Sequence, residues 1–261
     1  MGLLSYEQRL ATVVDETSLL VSALDGADLS VPVPACPGWT LNQLLRHLGY
    51  AHGWIEQLAR ERRPDADRSI SRAHSVDDFA GETSAELGPW LVEGAERFSK
   101  AMLEVAAIDE IAMLRPGQSG PRFWSRRMAH ETWVHRFDAF EALGLPFTVD
   151  KDVAWDGLWE WMNSTLQIIH ELRPPFRDLL GQGHKLQVLA TDYTNASHRW
   201  IVDLTGSAPV VRRDAVEKCD VTMRGPLIDL VLTLYRRRGP DGLDVSGDAA
   251  LLKEFLSRAR F

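Results

Sequence analysis

Cysteine is almost missing from this chain. Its 261 residues include two, Cys36 and Cys219, far apart and outside any Cys-x-x-Cys pair. That excludes a disulfide scaffold and a cysteine-rich zinc module, and it fits a reducing cytosol. Positive charge is also scarce: 29 Lys plus Arg stand against 37 Asp plus Glu, a net charge of −8. Sequence-independent nucleic-acid binding needs a cationic footprint, so no nucleic-acid partner is expected. No apolar run approaches the roughly 18 residues of a membrane span, and the opening MGLLSYEQRL turns polar too soon for a signal-peptide core. Gly-x-Gly-x-x-Gly, P-loop, Gly-x-Ser-x-Gly and His-Glu-x-x-His patterns are all absent. What remains is ordinary globular material, 45% apolar and 25% charged, which excludes disorder for most of the chain.

The first half reads as helices. Ser5 and Gln8 form a capping box ahead of an apolar periodicity that runs to Leu24. Gly26 and Val31-Pro32-Val33-Pro34 make a loop. Thr40 and Gln43 form a second capping box, opening a helix through Leu58. A third helical region is expected from Ser75 towards Ala107, with an irregularity at Gly88-Pro89. Pro116 to Gly120 reads as a turn. A fourth helix runs from about Pro121 to Leu143, closed by Gly144 and Pro146. Four helices with turns between them predict an antiparallel bundle. After Pro146 the pattern changes. A helix over Asp152–Leu172 carries Trp155, Trp159 and Trp161, which suit a core. Short β-branched runs follow at Lys185–Thr191, Arg199–Leu204, Val210–Arg212, Asp220–Met223 and Leu243–Val245, with helices at Leu227–Tyr235 and Asp248–Arg260. The fold class is therefore α+β, divided at 1–148 and 149–261.

Glu131 and His135 lie four residues apart on the fourth helix and project from one face. If the second helix is its neighbour, His47 converges with them. Two imidazoles and one carboxylate suit a divalent metal with open coordination positions. The same spacing equally suits a solvated Glu–His pair, and a lone His47 a hydrogen-bonded core histidine. His130 and His52 point away from that face. Arg136 and Asp138 flank it, as ligand-supporting or ion-pair groups. Cys36, just before a helix, reads as a small packed residue rather than a nucleophile. Arg224 precedes Gly225-Pro226 and a helix start; it is either an anion holder together with free amides or a surface arginine.

Pro34-Ala35-Cys36-Pro37-Gly38-Trp39-Thr40, with Leu44-Leu45-Arg46-His47-Leu48, resembles the signature of the mycothiol-dependent maleylpyruvate isomerase family. Ala129 to Ala139 resembles its second motif. Thr222-Met223-Arg224-Gly225 and Leu243 to Leu252 resemble its C-terminal part. The resemblance implies a DinB-like four-helix metal-binding domain followed by a smaller α+β domain similar to sterol carrier proteins. It places the metal ligands on His47, Glu131 and His135. It further implies mycothiol as thiol cofactor or co-substrate, zinc as the expected ion, and an actinobacterial, cytoplasmic setting.

The expected activity is addition of an activated thiolate to a small electrophilic substrate. The outcome would be cis–trans isomerisation, S-transfer or thiol exchange, with Arg224 binding a carboxylate of substrate or thiol. The alternative is a non-catalytic protein that binds a metal or a thiol conjugate. Partners are then the small electrophile and mycothiol, with no membrane, and the protein is expected as a monomer or homodimer.

Overall fold

The structure is a computed structural model that describes residues 2–62, 81–105, 120–193 and 198–260. The Ser75 helix start and the turn from Pro116 fall outside the described residues. The chain forms two compact units, one of Leu4–Thr148 and one of Val149–Phe261 with Met1–Leu3.

The first unit holds α1 (Tyr6–Ser22), α2 (Leu41–Arg60), α3 (Ser84–Val105) and α4 (Gly120–Ala142). Both expected capping boxes form: Ser5 and Thr40 each accept from the amide three residues on, and Gln8 and Gln43 return the bond. Pro89 lies inside α3, past its first turn, so the missing N–H costs the helix one i→i−4 bond. α1 and α2 each pack against both α3 and α4, so the ring runs α1, α3, α2, α4. Leu41, Leu44, Leu45, Leu48, Ile55 and Leu58 form the buried stripe of α2, at the spacing a core-facing helix needs. Gly49 permits a close approach on the α3 side, since a Cβ there would lie 2.2 Å from the Trp90 ring. The consequence for function is that α2 and α4 are neighbours.

The second unit opens with α5 (Lys151–Glu160), a π-helical turn over Trp161–Thr165, and α6 (Leu166–Leu172), so the single expected helix carries an internal bulge. A short α7 (Pro174–Arg177) follows. β1 (Lys185–Ala190), β2 (Arg199–Asp203), β3 (Val210–Arg213), β4 (Val221–Gly225) and β5 (Asp244–Gly247) form one sheet in the order β3-β2-β1-β4-β5. Only the β1–β4 pair is parallel. Two helices complete the unit, α8 (Leu227–Leu234) and α9 (Ala249–Arg258), the latter capped by Asp248 as expected. The tryptophans of α5 and the bulge do not form one cluster. Trp155 stacks on Tyr193 at 4.5 Å, while Trp161 meets Phe255 edge-on. Among the described residues no helix is long and apolar enough to cross a membrane.

Candidate metal centre

The loop ahead of α2 sets up the site. Val33 N–H donates to Trp39 O, Trp39 N–H to Cys36 O and Cys36 N–H to Val33 O, which closes residues 33–39 into a tight turn. Gly38 sits at φ +87°, a conformation that favours glycine. The turn delivers Trp39 to the ring of His47, 5.0 Å between centroids, and Cys36 to α4.

His47 on α2 and the Glu131/His135 pair on α4 do converge. Glu131 Oε1 lies 3.1 Å from His47 Nε2 and 3.1 Å from His135 Nε2. The two imidazoles meet edge to face at 5.1 Å. One ligand atom from each of the three residues falls within a 4.8 Å set, and among the described residues no fourth His, Cys, Asp or Glu joins that set. Side-chain exposure rises from 7% at His135 to 22% at Glu131 and 34% at His47, so the group opens to solvent on the α2 side.

The donor set fits a divalent ion. In a tetrahedral site with ligands about 2.1 Å from the metal, neighbouring ligand atoms are about 3.4 Å apart, close to the spacing found here. Two nitrogens and one oxygen suit zinc and similar borderline ions.

Electrostatics tie the three groups together. Burial pushes the Glu131 carboxyl up, but the charges of His135 and Arg127 and the bonds from both imidazoles outweigh it, holding it well below the usual carboxylate range. Burial also works against charge on His135. Glu131 and the bond to Asp138 overcome it and raise His135 to about 9. The geometry agrees, because both ring nitrogens of His135 face carboxylates, Nε2 towards Glu131 and Nδ1 towards Asp138 Oδ2 at 2.8 Å. Both ring nitrogens therefore donate here, and a divalent ion held by this group would take the place of the Nε2 proton.

Two contacts at the site had no clear signal in the sequence. Arg127 Nη2 donates to Glu131 Oε2 at 2.8 Å, which leaves Oε1 as the oxygen facing the imidazoles. Its only trace is an Arg–Glu spacing of four on a helix that carries several arginines. The Cys36 thiol points at Asp138 Oδ2 from 3.7 Å, across 102 residues of sequence. The flanking residues separate in role: Asp138 touches His135, whereas Arg136 pairs with buried Glu16 and donates to Thr148 O. His130 and His52 stand outside the triad. His130 Nδ1 accepts from Trp133 Nε1 at 2.9 Å, and His52 Nε2 lies 2.9 Å from Thr132 Oγ1.

Arg224 lies on β4 in the second unit. The period-two alternation buries Val221, Met223 and Gly225 and leaves Arg224 on the exposed face. Its one hydrogen bond among the described residues is a long one, 3.5 Å from Nη1 to Asp244 Oδ2. The expectation that free helix amides stand behind it needs correction. Leu227 N–H, at the start of α8, donates to Asp192 Oδ1 at 2.7 Å, so a carboxylate already occupies that helix end.

The comparisons bear on this arrangement. The family model described as the mycothiol maleylpyruvate isomerase N-terminal domain matches residues 10–140. No curated protein matches the chain. A crystal structure of the mycothiol-dependent maleylpyruvate isomerase is similar in fold, with TM-score 0.64 and 18% identity over 95% of this chain and 98% of that one. A point mutant of that enzyme gives TM-score 0.64 and 17% identity over the same shares. With the family model covering half of its length and enclosing all three converged residues, the chain belongs to the mycothiol-dependent maleylpyruvate isomerase family.

Proposed function

We propose that this protein is a metal-dependent enzyme that uses mycothiol to attack a small electrophile. The observation that carries the reading is the convergence of His47, Glu131 and His135 on one point of the bundle, inside the segment that matches the family model. In this reading residues 1–148 hold the metal, with zinc the expected ion, and residues 149–261 supply Arg224.

When bound, a divalent ion supplies a Lewis acid that lowers the pKa of a thiol, making thiolate available at neutral pH. The chain's own groups prepare for it. Arg127 holds one oxygen of Glu131 and leaves the other to the metal. His135 would offer Nε2 as the ligand atom while Nδ1 keeps its proton and donates it to Asp138 Oδ2. Three protein ligands would leave coordination positions open, the pattern of catalytic rather than structural zinc. The thiolate sulfur adds to one carbon of a conjugated double bond, and the electron pair moves onto the adjoining acceptor group. Rotation about the new single bond and expulsion of the same thiolate return the isomerised alkene with the thiol unchanged. If the adduct instead takes up a proton and departs, the result is S-transfer; attack on a thiol conjugate gives thiol exchange. Arg224 is proposed to hold a carboxylate of the substrate or thiol through its fork of donors.

The test combines metal analysis with thiol titration of wild type and His47→Ala. Mycothiol, glutathione and ergothioneine serve as ligands. Wild type should hold about one divalent ion per chain and bind mycothiol selectively, only when loaded. His47→Ala should lose both. Zinc-loaded wild type that binds none of the thiols would overturn the reading.

A further inference from the structure

Asp138 is fully buried, yet it is a carboxylate whose Oδ2 receives two donors from different parts of the bundle unit. One is His135 Nδ1–H at 2.8 Å, three residues earlier on α4. The other is the Cys36 thiol at 3.7 Å, from the turn that precedes α2. Neither donor is the atom that faces the converged triad, since His135 meets Glu131 through Nε2.

An imidazole can ligate a metal through either nitrogen, and the ring can turn about its side-chain bonds. A carboxylate accepting from Nδ1–H removes both freedoms. It keeps the remaining proton on Nδ1, so the lone pair is on Nε2, and it fixes the plane of the ring. We propose that Asp138 is the positioning residue of this site, holding His135 with its Nε2 lone pair aimed at the ion that His47 and Glu131 share. The inference rests on the metal-dependent reading above and assigns a role within it. In this role Asp138 acts through the His135 ring rather than as a ligand itself. Cys36 contributes by pinning the same carboxylate to the 33–39 turn, so the segment that starts α2 and the helix that bears His135 are registered on one oxygen.

A purely structural role, tying the turn to α4, is the competing explanation, and the two differ in what a neutral isostere does. Asp138→Asn keeps size and polarity but accepts a weaker hydrogen bond from Nδ1. Zinc affinity is measured by competition with a chromogenic chelator for wild type, Asp138→Asn and Cys36→Ser. The His135 Nδ1–H proton is followed by NMR in the metal-free and zinc-loaded proteins. Loss of a carboxylate behind a metal-bound histidine typically weakens binding about 10–100-fold, and that is the loss expected for Asp138→Asn. Cys36→Ser, which keeps a donor on the same oxygen, should stay near wild type. The Nδ1–H resonance should be downfield and slow to exchange in wild type, with and without zinc, and should lose both properties in Asp138→Asn. Equal zinc affinity in wild type and Asp138→Asn overturns the inference alone. Wild type that binds no zinc overturns the metal reading and this inference together. An equal loss of affinity in Cys36→Ser would assign the effect to the turn and overturn the role of the His135 contact.

Discussion

His52 gives the fold a weakness towards acid whose size can be worked out. It is fully buried between α2 and α4, and its ring stacks at 5.8 Å on Phe98 of α3. Thr132 Oγ1 donates its own proton to Met128 O at 2.7 Å. Its contact with His52 Nε2 must therefore be one in which the imidazole donates. That places the lone pair on Nδ1, which has no hydrogen-bond partner among the described residues. Protonation would put a charge and an unpaired N–H into a buried site, and burial, against the opposing pull of Glu131, lowers His52 from 6.5 to about 4. The unfolded chain takes up the proton below pH 6.5 and the folded chain does not until about 4. The unfolded state thus binds more protons across that window, and stability falls as pH falls through it. At about 1.4 kcal/mol per pKa unit, the full loss is about 3 kcal/mol. The assay is urea unfolding of metal-free protein between pH 7.5 and 4.5, on wild type and His52→Leu. Leucine fills the site without a titrating group. The stability difference between the two proteins should be constant above about pH 7 and should move by about 1.4 kcal/mol per unit below pH 6.5, in favour of the variant. His135 does not confuse the comparison: its raised value adds stability that is complete below 6.5 and is lost only as pH rises through about 9, in both proteins alike. A difference that stays flat from pH 7.5 to 4.5 would refute the argument.

Four further outcomes are expected. Below about pH 9 zinc binding should release close to one proton from His135, seen as buffer-dependent heat in calorimetry, with affinity falling up to tenfold per unit of acidification; proton-free binding at pH 7 would contradict it. Cys36→Ser should keep turnover within a few-fold, because the hydroxyl can still donate to Asp138; loss of turnover with metal content intact would make the thiol a reactant. Gly49→Ala should lower stability by about 1–3 kcal/mol in thermal or urea melts, since the new Cβ meets the Trp90 ring at 2.2 Å; an unchanged melt would mean that Trp90 moves freely. Arg224→Ala should leave zinc content intact and cut turnover or substrate affinity by one to a few orders of magnitude, the scale of a lost charge-assisted pair; unchanged kinetics would return Arg224 to an ordinary surface residue.

Much of this arrangement was legible where the responsible interaction is local. Capping by Ser5, Thr40 and Asp248 acts over three residues, so the helix starts could be read directly. Short β-branched runs located the strands, whereas the exposed face that carries Arg224 came only with the structure. Glu131 and His135 were visible as a pair because helix geometry alone brings them together. His47 was not, without either the resemblance or the packing of α2 on α4. The contacts that escaped reading are long in sequence or ambiguous in type. The bond from Leu227 to Asp192 spans 35 residues and removes a helix end that looked free. Arg127 was set apart from its neighbouring arginines only by its spacing of four from Glu131, which an ordinary solvated pair shares. The π-helical turn at Trp161–Thr165 follows from no residue in that segment.

The 33–39 turn shows why a motif of this shape reads so clearly. Each position answers a separate demand. Gly38 supplies a left-handed backbone, which lets the chain reverse so that Val33 and Trp39 can bond. Trp39 then lies against the His47 ring and restricts its movement. Thr40 caps α2 and fixes where its first turn begins, which sets the angular position of His47 seven residues later. Cys36 reaches back to the carboxylate that holds His135. A residue inserted between Leu41 and His47 would rotate His47 by about 100° around α2 and out of reach of Glu131. The spacing from the turn to the histidine is therefore set by helix geometry, and the same arithmetic on α4 sets the spacing of Glu131, His135 and Asp138. Two local rulers, one on each helix, are brought into register by contacts at His47–Glu131 and Cys36–Asp138.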